Sequence, residues 1–231
     1  MIGSGDLKKR IKEVLEQNAA ETLSSLDVSK KHLISALIRL SYDKDTLIGW
    51  RAIRAVGMVA RESVKSDAKY LREACRKLLW SLTDESGGIG WAAPELLGEI
   101  VSADPGRFTD IIPLIAETYF VEEDVFRSGV VYALARIAET HPALVLVQQR
   151  IVISSLVDKD PLVRIFGLRL VGLLWKEAVR SEAWTTEYRR KVQETVRQLK
   201  NDLSDAWIYQ GTSFESILVK DVAFEMELKL N

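Results

Sequence analysis

The chain has 231 residues, of which 47% are hydrophobic and 28% are charged, and its formal net charge is −1. These totals are typical of one globular domain or a small array of repeats, and no apolar run approaches the roughly 20 residues of a membrane helix. A single cysteine excludes an internal disulfide framework, and no apolar stretch follows the basic start, so we expect a cytoplasmic protein.

Charge is distributed unevenly along the chain. Residues 1–80 hold 16 basic against 10 acidic side chains, whereas residues 81–124 hold one basic side chain, Arg107, against 10 acidic ones. Residues 125–231 return to near balance, with 15 basic and 13 acidic side chains. Because nucleic acids are polyanions, the acidic middle segment argues against a nucleic-acid partner.

In chain order, a short helical cap (5–28) precedes a repeating pattern of two amphipathic helices joined by a polar turn, over 37 to 41 residues. We call the first helix of each unit helix A and the second helix B. The predicted A helices are KKHLISALIRL, YLREACRKLLWSL, FTDIIPLIAETYF and ALVLVQQRIVISSL. The B segments align as IGWRAIRAVG (48–57), IGWAAPELLG (89–98), FRSGVVYALA (126–135) and VRIFGLRLVG (163–172).

Several columns of this alignment carry structural predictions. The last position is always small, which predicts close packing of helix B on helix A of its own unit: Gly57, Gly98, Ala135 and Gly172. The residue three before each segment suits a helix N-cap: Asp45, Ser86, Glu123 and Asp160. A third column is predicted to face the interior: Ala52, Ala93, Val130 and Gly167.

The C-terminal part departs from the repeat. TEYRRKVQETVRQLKNDL (186–203) predicts one more amphipathic helix, with no helix B after it. AWIYQGTSFESILV (206–219) predicts a β-hairpin around Gln210-Gly211, and the last run, DVAFEMELKL, favours a helix. The predicted organisation is a cap (1–29), four repeats (30–178), an additional helix (179–205), and a hairpin with a short terminal segment (206–231).

The run DKDPLVRIFGLRLVG (158–172) resembles a HEAT-type repeat, in which an Asp is followed by Val-Arg, small residues and Leu-Gly. The resemblance covers residues 30–178 and implies an all-α, armadillo-like, right-handed α-solenoid of about four helical hairpins, here with a small C-terminal β-hairpin and helix. The stretch WSLTDESGGIGWAAPELLGEI (80–100) also resembles a segment of prokaryotic HEAT-repeat proteins of unknown function.

In HEAT repeats the arginine of this pattern pairs with acidic groups of a neighbouring unit. It is present as Arg127 and Arg164, and Gly49 and Gly90 replace it in the first two units. The resemblance therefore implies an interrupted ladder of ion pairs.

The glycine-rich stretch 83–93 has several possible roles. GIGWAA matches a dinucleotide-binding fingerprint, but the strand that this motif requires is not predicted, so no cofactor is expected. The glycines could form a turn that lets helix B begin near Trp91, which places Pro94 in its first turn. An anion-binding nest is the alternative, although Asp84 and Glu85 would repel an anion. His32 and His141 lack metal-ligand spacing, and no metal site is predicted.

Trp50 and Trp91 occupy the same position in the first two units. Since helix B lines the concave surface of HEAT-like proteins, the resemblance implies a partner-binding stripe on that surface: Trp50, Arg54, Trp91, Glu95, Tyr132 and Arg169. An acidic group around Trp91 would attract a partner with a basic segment: Asp84, Glu85, Glu95 and Glu99. The alternatives are that the tryptophans fill space between units and that the acids are solvated.

The sequence contains no recognisable catalytic constellation and favours a non-enzymatic scaffold that binds a protein or peptide on its concave face. Two alternatives stay open: a HEAT-like enzyme acting on nucleic acid, of the DNA glycosylase type, and a lyase or chaperone for a cofactor. Neither membrane association nor nucleic-acid binding is expected.

Overall fold

Helices make up most of the computed structural model, which describes residues 4–82, 90–121 and 124–230. In chain order the elements are α1 (Ser4–Glu16), α2 (Lys30–Leu40), α3 (Leu47–Leu82), α4 (Ala93–Val101), α5 (Ile112–Val121), α6 (Arg127–Ala138), α7 (Gln149–Leu156), α8 (Pro161–Arg180), α9 (Thr186–Leu199), β1 (Asp205–Tyr209), β2 (Phe214–Leu218) and α10 (Val219–Leu230). Short 3₁₀ turns lie between several of them. No helix in these ranges is both long and apolar enough to cross a membrane.

Helix α3 joins two predicted helices, the B helix of the first unit and the A helix of the second. Its backbone departs from helical geometry at Asp67, where φ is −121° and ψ is 22°. The sequence predicted separate helices. The segment around the kink, RESVKSDAKY, contains neither glycine nor proline, so nothing in it ends the helix and the chain only bends.

The helices form two layers. The B layer consists of the first half of α3, then α4, α6, α8 and α10, each packed against the next. The A layer consists of α2, the second half of α3, α5, α7 and α9. Helices α5, α7 and α9 pack on the B-layer helix that follows them, whereas the A-layer neighbours α3 and α5, and likewise α7 and α9, touch each other much less. A continuous core between the layers includes the predicted interior residues Ala52, Ala93, Val130 and Gly167.

The small residues at the ends of the B segments make contacts between B helices of successive units, which corrects the predicted contact with helix A. A Cβ added to Gly98 would lie 2.5 Å from the Cα of Ala133 in α6. A Cβ added to Gly57 would meet the Glu99 side chain of α4, and one added to Gly172 would lie 2.5 Å from Met226 Sδ of α10. Glycine at these positions therefore sets the close spacing within the B layer.

The N-caps were predicted correctly in one of the two units where they are described. The Asp160 carboxylate accepts a hydrogen bond from the Leu162 backbone N–H at 2.8 Å and caps α8. For α3 the capping group is the Thr46 hydroxyl, which accepts from the Gly49 N–H at 3.1 Å, rather than Asp45. Ser86 and Glu123 lie outside the described residues. Pro94 lies in the first turn of α4, as expected.

Both predicted ladder arginines connect adjacent units. Arg127 Nη1 lies 3.4 Å from Asp158 Oδ2, and Arg164 Nε donates to Asp202 Oδ2 at 2.8 Å. At Gly49, which replaces the arginine in the first unit, an added Cβ would overlap the backbone carbonyl of Asp43. The chain there passes too close for any side chain.

The C-terminal residues form the predicted hairpin and helix. Strands β1 and β2 are antiparallel, with Tyr209 opposite Phe214, and Gly211 in the connecting turn has a φ of +95°. The expectation that no helix B follows α9 is wrong, because α10 packs on both α9 and α8. The hairpin is therefore an insertion between the last A-layer helix and the last B-layer helix.

Candidate functional site

A row of aromatic side chains joins the first, third and fourth B helices. Trp50 of α3 meets the edge of Tyr132 of α6, with ring centroids 5.2 Å apart, and Tyr132 is 5.7 Å from Phe166 of α8. Tyr209, from the hairpin, stacks on Trp50 at 5.9 Å with an interplanar angle of 17°. Trp50 is only 9% exposed, so the hairpin and the B layer together cover most of it.

These rings form part of the wall of a cavity of about 420 Å³. Residues of α3, α6, α8, β1 and α10 line it. Of the predicted stripe, Trp50, Tyr132 and Arg169 reach this cavity. The site is therefore assembled from side chains that lie far apart in the sequence and meet only in the folded chain.

Behind the aromatic row lies a charged cluster centred on Glu99 of α4. Glu99 is fully buried, and its Oε1 accepts hydrogen bonds from Arg54 at 2.7 Å, from the Tyr132 hydroxyl at 2.6 Å and from Arg136 Nε at 2.9 Å. Its Oε2 accepts from Arg136 Nη2 at 3.3 Å, and Arg136 also contacts Glu139. One carboxylate thus joins three successive B helices.

The cluster fixes the protonation states of its members. Burial acts to lower the pKa of Arg54 and of Arg136, but the negative charge of Glu99 and the phenol of Tyr132 outweigh it, so both pKa values are raised. Burial and the neighbouring Glu99 carboxylate raise the pKa of Tyr132 well above its usual value. Arg54, Arg136 and Tyr132 therefore stay protonated at neutral pH, and the phenol serves as a donor to Glu99.

Glu95, one turn before Glu99, is also inside the protein. It is 2% exposed, and its Oε1 accepts from Lys44 Nζ at 3.0 Å. Gly129 of α6 leaves the space that this carboxyl occupies. All nine residues of α4 are buried, so the expectation of an exposed acidic edge is wrong for Glu95 and Glu99. Both pair with cations of adjacent elements, and neither is solvated.

Trp91 lies apart from this cluster. It is 46% exposed and its ring centroid is 6.5 Å from that of Phe126. Asp84 and Glu85, predicted to surround it with negative charge, lie outside the described residues. The predicted stripe is therefore divided: Trp50, Tyr132 and Arg169 line the cavity, Arg54 and Glu95 are held in ion pairs, and Trp91 is exposed just before α4.

Arg169 differs from the other arginines of the site. It lies on the cavity wall, half-buried, with its guanidinium carbon 5.9 Å from the centre of the Phe166 ring. Within the ranges that the structure describes, it makes no hydrogen bond and no ion pair. Burial lowers its pKa, and the nearby charge of Glu225 partly opposes this effect. A guanidinium stays charged in proteins, so this positive charge remains to be balanced.

Reactive groups are few. Burial raises the pKa of the Cys75 thiol to about 12, which keeps it protonated and unreactive. The His32 and His141 rings contact the neighbouring hydroxyls of Ser29 and Thr140. Across residues 4–82, 90–121 and 124–230, no three His, Cys, Asp or Glu side chains are grouped to hold a metal ion.

Sequence reasoning missed several residues of this region, among them Arg136, Phe166, Lys44 and Tyr209. Arg136 had a usable signal, since it follows Tyr132 by four residues and therefore shares its helix face. Lys44 and Tyr209 lie in a turn and in the hairpin, and nothing in their local sequence indicates which helix they approach.

No protein-family model matches the chain, and no curated protein sequence matches it. Among solved structures, an engineered protein from the Northeast Structural Genomics Consortium is 15% identical, with a TM-score of 0.53 over 97% of this chain and 96% of that one. A second engineered protein from the same consortium is 14% identical, also at 0.53, over 98% of this chain and 63% of that one. These likenesses concern the fold alone.

An archaeal HEAT-like repeats protein from Thermococcus onnurineus NA1 is a more distant neighbour. It is 12% identical over 96% of both chains, with a TM-score of 0.42. A score at this level does not establish a shared fold.

Proposed function

We propose that the chain is a non-enzymatic α-solenoid of HEAT-like units that binds a protein or peptide on its concave face. The observation that carries the proposal is the cavity of about 420 Å³ between α3, α6, α8, the hairpin and α10. Its volume lies within the range of roughly 300–1,000 Å³ that is common for ligand sites.

The packing of the layers supports the placement on a concave face. Helices of the B layer touch extensively from one unit to the next, whereas those of the A layer touch little. Glycines at 57, 98 and 172 allow the close approach on the B side. A stack that is tighter on one side curves toward that side, so the B layer with its cavity would line the inner surface.

The composition of the cavity supports a binding role. Aromatic and arginine side chains are the residues that most often dominate binding energy at protein interfaces, and Trp50, Tyr132 and Arg169 bring them together here. Glu95 and Glu99 are already paired with cations of the chain itself. They are therefore unavailable to a basic partner, and the basic segment expected from the sequence is not part of this proposal.

The test is selection of a displayed random peptide library on immobilised protein in three forms. Leu173→Trp places a bulky ring in the cavity, and Leu228→Trp makes the same change at an exposed position of α10. We expect one family of peptides to be enriched on the wild type and on Leu228→Trp and lost on Leu173→Trp. Circular dichroism would first establish that all three forms are folded.

Failure to enrich any peptide family over the display background would overturn the proposal. So would the same peptides recovered equally from all three forms, because binding would then lie elsewhere on the surface.

A further inference from the structure

The charges on the cavity wall do not balance. Two basic side chains are already paired there: Arg136 contacts Glu99 and Glu139, and Lys229 Nζ lies 2.7 Å from Glu225 Oε1. Arg169 is the remaining described cation of the wall: it makes no ion pair among the described residues, and Glu225, whose charge acts on it from beyond ion-pair distance, is paired with Lys229. The wall as a whole carries three positive and two negative side chains, Glu139 and Glu225 being the negative ones.

An incompletely hydrated cation without a partner is unfavourable, and an anion that reaches it would recover the lost interaction. The unpaired group is a guanidinium, whose planar set of N–H donors matches the two oxygens of a carboxylate. A single excess positive charge suits a monoanion. A dianionic phosphate carries two negative charges, one more than Arg169 can balance. The two glutamates of the wall would repel the second charge.

The remaining wall is aromatic. Trp50, Tyr132, Phe166 and Tyr209 surround the space beside Arg169, and the centroids of successive rings along the row lie 5.2 to 5.9 Å apart. Burying an apolar or aromatic group against these rings is favourable. A small ion bound to Arg169 alone would leave the rings without such a contact.

We infer that the cavity is a site for a carboxylate joined to an apolar or aromatic group, with the carboxylate on Arg169 and the apolar part between the rings. In a partner, this group would be an acidic side chain next to an apolar residue or a C-terminal carboxylate. That extension rests on the proposed function, whereas the carboxylate site itself does not.

The experiment titrates the full chain with 3-phenylpropionate and, as a neutral probe of the same shape, with 3-phenylpropionamide. Binding is followed by the fluorescence of the tryptophans and by NMR chemical shifts. For a ligand of this size we expect a dissociation constant on the order of 1 mM for the carboxylate and at least about tenfold weaker binding of the amide.

Two matched variants on α8 test the assignment to Arg169. Arg169→Gln should weaken carboxylate binding by roughly 10- to 100-fold, because a hydrogen-bonded charge is lost, and should leave the weak binding of the amide unchanged. Arg180→Gln removes an exposed arginine of the same helix and should change neither. Equal binding of the two probes, equal binding by Arg169→Gln, or no binding of the carboxylate would overturn the inference.

The two proposals can fail separately. Carboxylate binding without any enriched peptide family would leave this site standing and refute the peptide-binding function. Enriched peptides that keep their affinity after amidation and after replacement of Asp and Glu by Asn and Gln would leave the peptide-binding function standing and refute the extension of the carboxylate site to a partner. Where affinity falls, the change responsible distinguishes a C-terminal carboxylate from an acidic side chain.

Discussion

Replacing Glu99 by glutamine tests whether the buried charge cluster holds the B layer together. The glutamine keeps the shape of the side chain and one acceptor oxygen but removes the negative charge between Arg54 and Arg136. Glu99 is completely buried, and the Arg136 side chain is 10% exposed, so neither can exchange its partner for water. Arg54 is 40% exposed and can rehydrate.

The expected magnitude follows from these exposures. Removing one partner of a buried ion pair typically costs about 3–5 kcal/mol. The lower end applies here because Arg54 reaches solvent and Arg136 retains Glu139. For a chain of this length, each 1 kcal/mol lowers the melting temperature by about 2–4 °C, so we expect Glu99→Gln to melt about 6–12 °C lower.

Differential scanning calorimetry at neutral pH provides the measurement, with Glu62→Gln as the matched control. Glu62 also pairs with a cation, Lys30, at 2.7 Å, but its side chain is 44% exposed. An exposed pair contributes at most about 1 kcal/mol. Equal lowering of the melting temperature by Glu99→Gln and Glu62→Gln would show that burial does not increase the contribution of the Glu99 cluster to stability.

Three further predictions concern stability. Gly98→Leu should lower the urea midpoint by the equivalent of about 1–3 kcal/mol, since the added side chain would overlap α6; an unchanged midpoint would contradict the close contact between α4 and α6. Asp202→Asn should make the free energy of unfolding fall less steeply as the pH is lowered into the acid range. Burial acts to raise the Asp202 pKa, but hydrogen bonds from Ser204 and Arg164 outweigh it and lower that pKa. The stabilisation is therefore fully present above the unfolded pKa of about 4 and is lost as pH falls through the lower folded value; parallel curves for the variant and wild type would contradict this. Trp91→Ala should lower stability by about 1 kcal/mol or less, because the ring is half-exposed, and a scanning fluorimetry shift larger than that of Glu99→Gln would show that it packs more tightly.

Local periodicity was enough to predict the paired helices, the C-terminal hairpin and the Asp160 cap. Each depends on residues within one or two turns of each other, where spacing along the chain determines which side chains share a face. The kink at Asp67 was missed for a related reason: a polar stretch without glycine or proline can continue a helix as well as end it.

The positions of Glu95 and Glu99 could not be predicted in this way. Carboxylates are normally solvated, and their partners Lys44, Arg54 and Arg136 lie 37 to 51 residues away in sequence. One signal was present: in APELLGEIV the other positions are apolar or small on every face, which is typical of a fully buried helix. Acids on such a helix require buried cationic partners, although the sequence does not identify them.

The hairpin between α9 and α10 reaches the opposite end of the chain. Arg51 donates from Nη1 to the backbone carbonyls of Leu15 and Glu16, at 2.8 and 3.0 Å, and from Nη2 to the carbonyl of Thr212 at 2.9 Å. A stack of helices that touch only their neighbours can fray one unit at a time from its ends. Here the contact between Arg51 and Thr212 spans 161 residues, so losing the last helices also exposes the first. Unfolding should then be one cooperative event, and folding should be slow for a helical protein, because the final step must close a loop of 161 of the 231 residues.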